Sequence, residues 1–266
     1  MATMREVYGL EKSPFLKDVE LKSMYRYPQL EQLFERLAMT TQDGSGLLIT
    51  GRAGSGKTTA TRAYLSSLDA RYRVIYLGQF QHGTALFARL GEQFGLRTNM
   101  WSKKRMLQLT QSISRESASG RRLVLIVDEA HLLDQTTFED LRLLTNADMD
   151  SRSPMSLIVI GQRWLRQTLR HSKYEALYQR LRLRFALEGL SEIETCDYIH
   201  HHLSLSGCTR MPFTKAAMRA VFMASDGILR EVNNICFEAL LAGAERNEKR
   251  IDEQLVEWVV DQRDLA

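Results

Sequence analysis

The residues Gly51-Arg52-Ala53-Gly54-Ser55-Gly56-Lys57-Thr58 are spaced to hold a chain of phosphates. They match G-x-x-x-x-G-K-[ST] without departure, between an apolar strand and a helix. Gly54 and Gly56 let the backbone wrap tightly, with its amides turned toward an anion. The helix N-terminus that follows adds its dipole. Lys57 supplies the cation for β- and γ-phosphates, and the Thr58 hydroxyl supplies a Mg²⁺ ligand. Gly51, Ser55 and Thr59 complete the expected nucleotide-binding set. Further along, Leu123-Val124-Leu125-Ile126-Val127 ends in Asp128-Glu129. Asp128 is placed to hold Mg²⁺ through water, and Glu129 to polarise an attacking water. One acid would serve a metal; the second points to hydrolysis. His131, just beyond, either senses phosphate or DNA occupancy or packs structurally. A third apolar run, Leu157 to Ile160, ends in Gly161-Gln162. Gln162 is the candidate for a polar group beside the γ-phosphate, with Asn146 second.

These residues need elements to hold them. Pro28 stands at a helix N1 position, before Leu30, Leu33, Phe34 and Leu37 at helical spacing. Strands are expected at Leu47–Thr50, Arg73–Gly78, Leu123–Val127 and Leu157–Ile160. Helices are expected at Lys57–Leu68, at Thr84–Phe94, from a Ser102 cap over Met106, Leu107, Leu109 and Ile113, and at Phe138–Thr145. Apolar strands separated by helical patterns imply βαβ units and a mostly parallel sheet. After Leu187 helices dominate. Ser191 with Glu194 forms a capping box, Thr214 and Asp252 can cap two more helices, and Leu229–Ala244 is a long apolar one. The expected division is an α/β nucleotide-binding domain over 1–187, with an N-terminal extension, and a small all-helical lid over 188–266.

The combination resembles an AAA+ ATPase, and more narrowly the secretion-ATPase-like branch typified by ExeA. Tyr8-Gly9-Leu10 with Pro14-Phe15 is similar to that branch's opening. So are Asp128-Glu129-Ala130-His131-Leu132, the run Glu139 to Asn146, Ile160-Gly161-Gln162 and Gln179-Arg180-Leu181. The resemblance implies an arginine finger that reaches a neighbouring subunit's nucleotide. Arg180 matches it, with Arg182 and Arg184 as competitors. It also implies a sensor arginine in the lid, which Arg230 of Gly227-Ile228-Leu229-Arg230 matches. Larger secretion members of the branch continue into a membrane segment, and no such segment is expected within these 266 residues. Chains of this size are similar to transposition-regulator ATPases of the MuB, IstB and TnsC type. The implied function is an ATPase that forms a homo-oligomer, ring or helical filament, on duplex DNA and recruits or activates a transposase. The alternative is assembly of a secretion or envelope complex.

Composition and charge bear on that choice. The chain has 266 residues, 44% hydrophobic and 26% charged, with three cysteines and a net charge of +4. Disorder, a collagen-like repeat and a disulfide framework are all excluded by such numbers. No apolar run reaches a membrane-spanning length, and no leader is recognisable, so no membrane partner and a cytoplasmic place are expected. The mild charge hides two basic segments. Arg97–Arg122 and Arg163–Arg184 each carry seven basic residues against one acid. Such segregation suits phosphate-backbone contact. Lys103, Lys104 and Arg105, beside Trp101, are the expected DNA contacts. Nothing resembles a base-reading motif, so shape and phosphates would be recognised. His200, His201 and His202 with Cys196 and Cys208 match no zinc spacing and are expected to pack on a helix.

Overall fold

Apolar residues that repeat without alternation make strands buried on both faces, and this chain builds its centre from them. The computed structural model describes residues 3–15, 23–78, 83–96, 103–145 and 155–264. Two N-terminal helices come first: the short α1 (Met4–Tyr8) and the long α2 (Pro28–Asp43). Then strands and helices alternate: β1 (Gly46–Thr50), α3 (Lys57–Leu65), β2 (Tyr72–Leu77), α4 (Gly83–Gln93), α5 (Lys103–Ala118) and β3 (Arg122–Val127). They continue with α6 (Gln135–Leu144), β4 (Met155–Gly161), α7 (Arg163–Leu169), α8 (Glu175–Arg180) and β5 (Leu183–Ala186). Four helices close the chain: α9 (Glu192–Leu205), α10 (Lys215–Ser225), α11 (Leu229–Glu245) and α12 (Glu253–Asp264).

The five strands form one parallel sheet in the order β2-β3-β4-β1-β5. This α/β arrangement, with helices following it, is the architecture expected from the sequence. Every residue of β1 and β4 is buried. The edge strand β2 instead leaves Val74 and Tyr76 exposed. Leu86, Phe87 and Leu90 of α4, and Met106, Leu109 and Ile113 of α5, join the strands in one core. Leu107, expected with them, is exposed because it falls on the outer side of α5. Short β5 and the helices α1, α7 and α8 were not anticipated. Each is too short for its period to stand out from its neighbours.

The chain divides into two compact units. One holds Gln29–Ala53 and Lys57–Leu187, hence the sheet. The other holds Met1–Pro28, Gly54–Gly56 and Glu188–Ala266, hence the closing helices. In the second unit the N-terminal segment is fastened at several points. The Tyr8 hydroxyl donates to Glu248 O at 2.9 Å, and Glu11 N donates to Ser206 O at 2.9 Å. Phe15 stacks on His202, their ring centres 5.5 Å apart. Thr3 and Glu6 form a capping box, a T-x-x-E pattern that the sequence carries openly. Ser191 and Glu194 form another on α9, and Thr214 and Asp252 accept from Ala217 N and Leu255 N.

Candidate functional site

Strands in a parallel sheet all end at the same edge, so residues distant in sequence converge there. β1 delivers the glycine-rich loop. Gly54 and Gly56 adopt φ of +83° and +89°, which a side-chain-bearing residue reaches only under strain. Lys57 is buried, and its Nζ donates to Gly51 O at 3.1 Å and Arg52 O at 2.8 Å. The ammonium is thus satisfied by the loop it would help to close on phosphate. Ser55 is buried, Thr58 half-buried and Thr59 exposed.

β3 lies two strands from β1 and delivers the acids. Thr58 Oγ1 donates to Asp128 Oδ2 at 2.6 Å. A hydroxyl and a carboxylate in contact are hard oxygen donors of the kind Mg²⁺ takes together with phosphate oxygens. Thr58 and Asp128 therefore fit the metal that the sequence called for. Among the described residues no cluster of three His, Cys, Asp or Glu offers a competing metal site. Tyr76, from β2, also donates to Asp128 Oδ2, at 2.8 Å. Its phenol pKa is raised, first by burial and then by that bond to the carboxylate. Nothing in the sequence around Tyr76 marks it as a partner of Asp128. Only the pairing of Leu77 with Val127 brings it beside Asp128.

Glu129 stands at φ +51°, in the left-handed region. A non-glycine residue there stores about 1–3 kcal/mol of strain, a feature that gathers at functional sites. Its backbone N donates to Asp128 Oδ1 at 2.8 Å. Its carboxylate is 47% exposed, and Oε2 lies 3.4 Å from His131 Nε2. His131 is buried and meets Trp164 edge-on, ring centres 5.1 Å apart.

Gln162 follows β4 and is the N-cap residue of α7. Gly161 pairs with Thr50, so Gln162 follows the strand beside β1 at the same edge. Asn146 lies outside the described residues. Arg180 ends α8, just before β5, and so lies at the opposite edge of the sheet. Its guanidinium donates to Thr145 O at 2.9 Å. The length of β1, about 16 Å, separates that edge from the glycine loop. Arg182 is exposed. Arg184 lies over the Tyr178 ring at 3.9 Å and donates to Tyr178 O at 2.8 Å. In the helical unit, Arg230 N donates to Gly54 O at 3.2 Å, which puts the start of α11 against the tip of the loop. Gly227, at φ +67°, leaves no room for a Cβ, which would overlap Leu190 O.

Lys104 is exposed at the start of α5. The side chains of Lys103 and Arg105, with Trp101 and Ser102, lie outside the described residues. His201 contacts Ser23 O at 2.7 Å and His202 is buried, so these histidines pack as expected. No described helix is long and apolar enough to cross a membrane.

A family model described as an AAA domain matches residues 40–169. The chain is 32% identical to General secretion pathway protein A of Aeromonas hydrophila over 253 residues. That match takes in 92% of this chain but only 46% of the relative. Among solved structures, Cdc6p from Pyrobaculum aerophilum shares the fold with a TM-score of 0.70 and 15% identity, over 89% of this chain and 67% of that one. The Aeropyrum pernix ORC1 protein, solved in complex with DNA, gives 0.70 and 16%, over 93% and 68%. The Thermotoga maritima RuvB Holliday junction branch migration motor gives 0.58 and 19%, over 93% and 72%.

Proposed function

We infer that the chain is a Mg²⁺-dependent ATPase of the AAA+ superfamily that assembles with copies of itself and uses ATP to hold that assembly; the AAA-domain match over residues 40–169 supports the ATPase reading. The observation that carries this is the convergence of Lys57, Thr58, Asp128 and Glu129 at one sheet edge. Lys57 leaves the loop carbonyls for the β- and γ-phosphates. Thr58 and Asp128 would hold Mg²⁺, which would supply positive charge against the phosphates. Glu129 accepts a proton from the attacking water, and Gln162 orients the γ-phosphate. Arg180 belongs to the other edge of the sheet, so it serves a neighbour's nucleotide and ties turnover to assembly. Arg230, in the helical unit, registers the γ-phosphate.

Two readings of the larger complex follow. Assembly of a secretion or envelope complex has the stronger support, because the 32% identical relative aligns with nearly the whole chain. The other is assembly on duplex DNA, with a transposase as partner. It is supported by the two basic segments and by a fold shared with a protein solved on DNA. Mass photometry with a slow ATP analogue tests assembly; a monomer under all nucleotide states would remove it. Anisotropy on two unrelated duplexes over a salt series tests DNA. Equal affinities that fall with salt support the DNA reading, and absence of binding leaves the secretion reading alone.

A further inference from the structure

The short helix α7 carries Arg163 and Arg166, and Arg170 is its C-cap, so the three stand at i, i+3 and i+7 with no acid between them. That spacing puts the three guanidiniums in one stripe about 10 Å long. All three are exposed, while Leu165 and Leu169 anchor the opposite side in the core. Arg166 and Arg170 have no carboxylate partner among the described residues. Beside the stripe stands Trp164, 46% exposed. Its inner edge touches the buried His131, whose side chain is only 5% exposed. His131 in turn reaches Glu129 at 3.4 Å. Its other ring nitrogen, Nδ1, is buried without a hydrogen bond. The imidazole is therefore held by Trp164 packing on one side and Glu129 on the other, with nothing to pin Nδ1. Gly161 permits this closeness, since a Cβ there would press on Leu165 and on His131 N.

We propose that α7 is a docking helix for the phosphate backbone of duplex DNA, and that Trp164 and His131 carry its occupancy to Glu129. This rests on the DNA reading above. A stripe of exposed arginines with no acid along it complements the phosphates of a polyanion better than it does an apolar or basic partner. With α7 empty, His131 holds the Glu129 carboxylate to one side. DNA on the stripe displaces Trp164, the His131–Glu129 contact opens, and Glu129 turns to the water. His131 is a positioning residue: it acts on the reaction only through Glu129.

The experiment measures phosphate release at saturating ATP, ATP affinity and duplex affinity for the full chain and three variants. In the wild type, duplex DNA raises kcat. Arg166→Ala with Arg170→Ala weakens duplex binding and lowers the log-log salt slope by about 2. Trp164→Leu keeps duplex binding but loses the stimulation. His131→Ala raises DNA-free kcat by about tenfold, equivalent to about 1.4 kcal/mol of barrier, at unchanged ATP affinity. A merely structural role for His131 would lower kcat or ATP affinity instead, and that result overturns the proposal. Wild-type stimulation in both Trp164→Leu and His131→Ala, with duplex still bound, also overturns it while leaving the DNA reading intact. A wild type that binds no duplex removes the DNA reading and this proposal together.

Discussion

Residue by residue, the charged groups of the candidate site are satisfied by their own chain. Lys57 rests on two loop carbonyls, and Asp128 accepts from Thr58 and Tyr76 at one oxygen. Both are arrangements that a metal–triphosphate would displace. Glu129 differs, since its side chain makes no tie that ATP binding requires. Glu129→Gln should therefore bind ATP as the wild type does, yet lose kcat by about 10²–10⁴-fold, the usual worth of a positioned general base. Calorimetric titration and phosphate release measure the two quantities separately. Undiminished release would move the water-activating role to another group. These identities were legible because the glycine pattern and the paired acids tolerate few substitutes chemically. Tyr76 was not legible, because a tyrosine at a strand end becomes relevant only through the strand beside it.

At the scale of elements, the helical unit depends on two close approaches. Gly227 links α10 to α11 at φ +67°, with Leu190 O where a Cβ would sit. Gly227→Ala should lower unfolding stability by more than about 1 kcal/mol, from the left-handed conformation alone. Thermal melting reads this out, and an unchanged Tm would mean that the turn relaxes freely. The second approach joins the N-terminal segment to α9. His202 packs against Phe15 and lies 4.3 Å from the Tyr198 ring. Burial, followed by the nearby His201, lowers its pKa to about 4 from an ordinary 6.5. The unfolded chain then binds the extra proton between those values. Stability from neutral His202 is complete above about pH 6.5 and declines as pH falls toward 4, by about 3 kcal/mol at most. Denaturant unfolding of wild type and His202→Phe at pH 7 and pH 4.5 should show a smaller pH difference in the variant. An equal difference would assign the acid sensitivity elsewhere.

At the scale of the whole molecule, the sheet keeps Arg180 and the glycine loop at opposite edges of one chain. On the proposed reading, a single copy would carry a nucleotide site at one end of its strands and offer Arg180, at the other end, to a neighbour. Lys57→Ala protein, which should not bind ATP productively, still offers Arg180. Arg180→Ala protein still binds ATP. Each should be nearly inactive alone, and mixing them should restore part of the turnover, as measured by phosphate release against mixing ratio. Arg180→Ala protein that hydrolyses at the wild-type rate by itself would shift the role to Arg182, which is exposed, or to Arg184.

The parallel sheet and the change to helices after Leu187 were legible in the residues alone, as was the phosphate-binding pattern. Each rests on a local pattern: a glycine–lysine motif, unbroken apolar runs, capping residues. Local patterns survive in a one-dimensional reading because neighbouring residues alone satisfy them. Tertiary structure decided the rest. The N-terminal aromatics could be counted, but their docking on α9 and near Glu248 depends on pairings across most of the chain. β5 is only four residues long, and its strand character comes from β1 beside it. The basic run after Gln162 read as a charge count; folding turned part of it into a helix whose Trp164 rests on His131. Contacts of that kind join residues that no periodicity links, so the energy that selects them exists only once the sheet has brought its strand ends together.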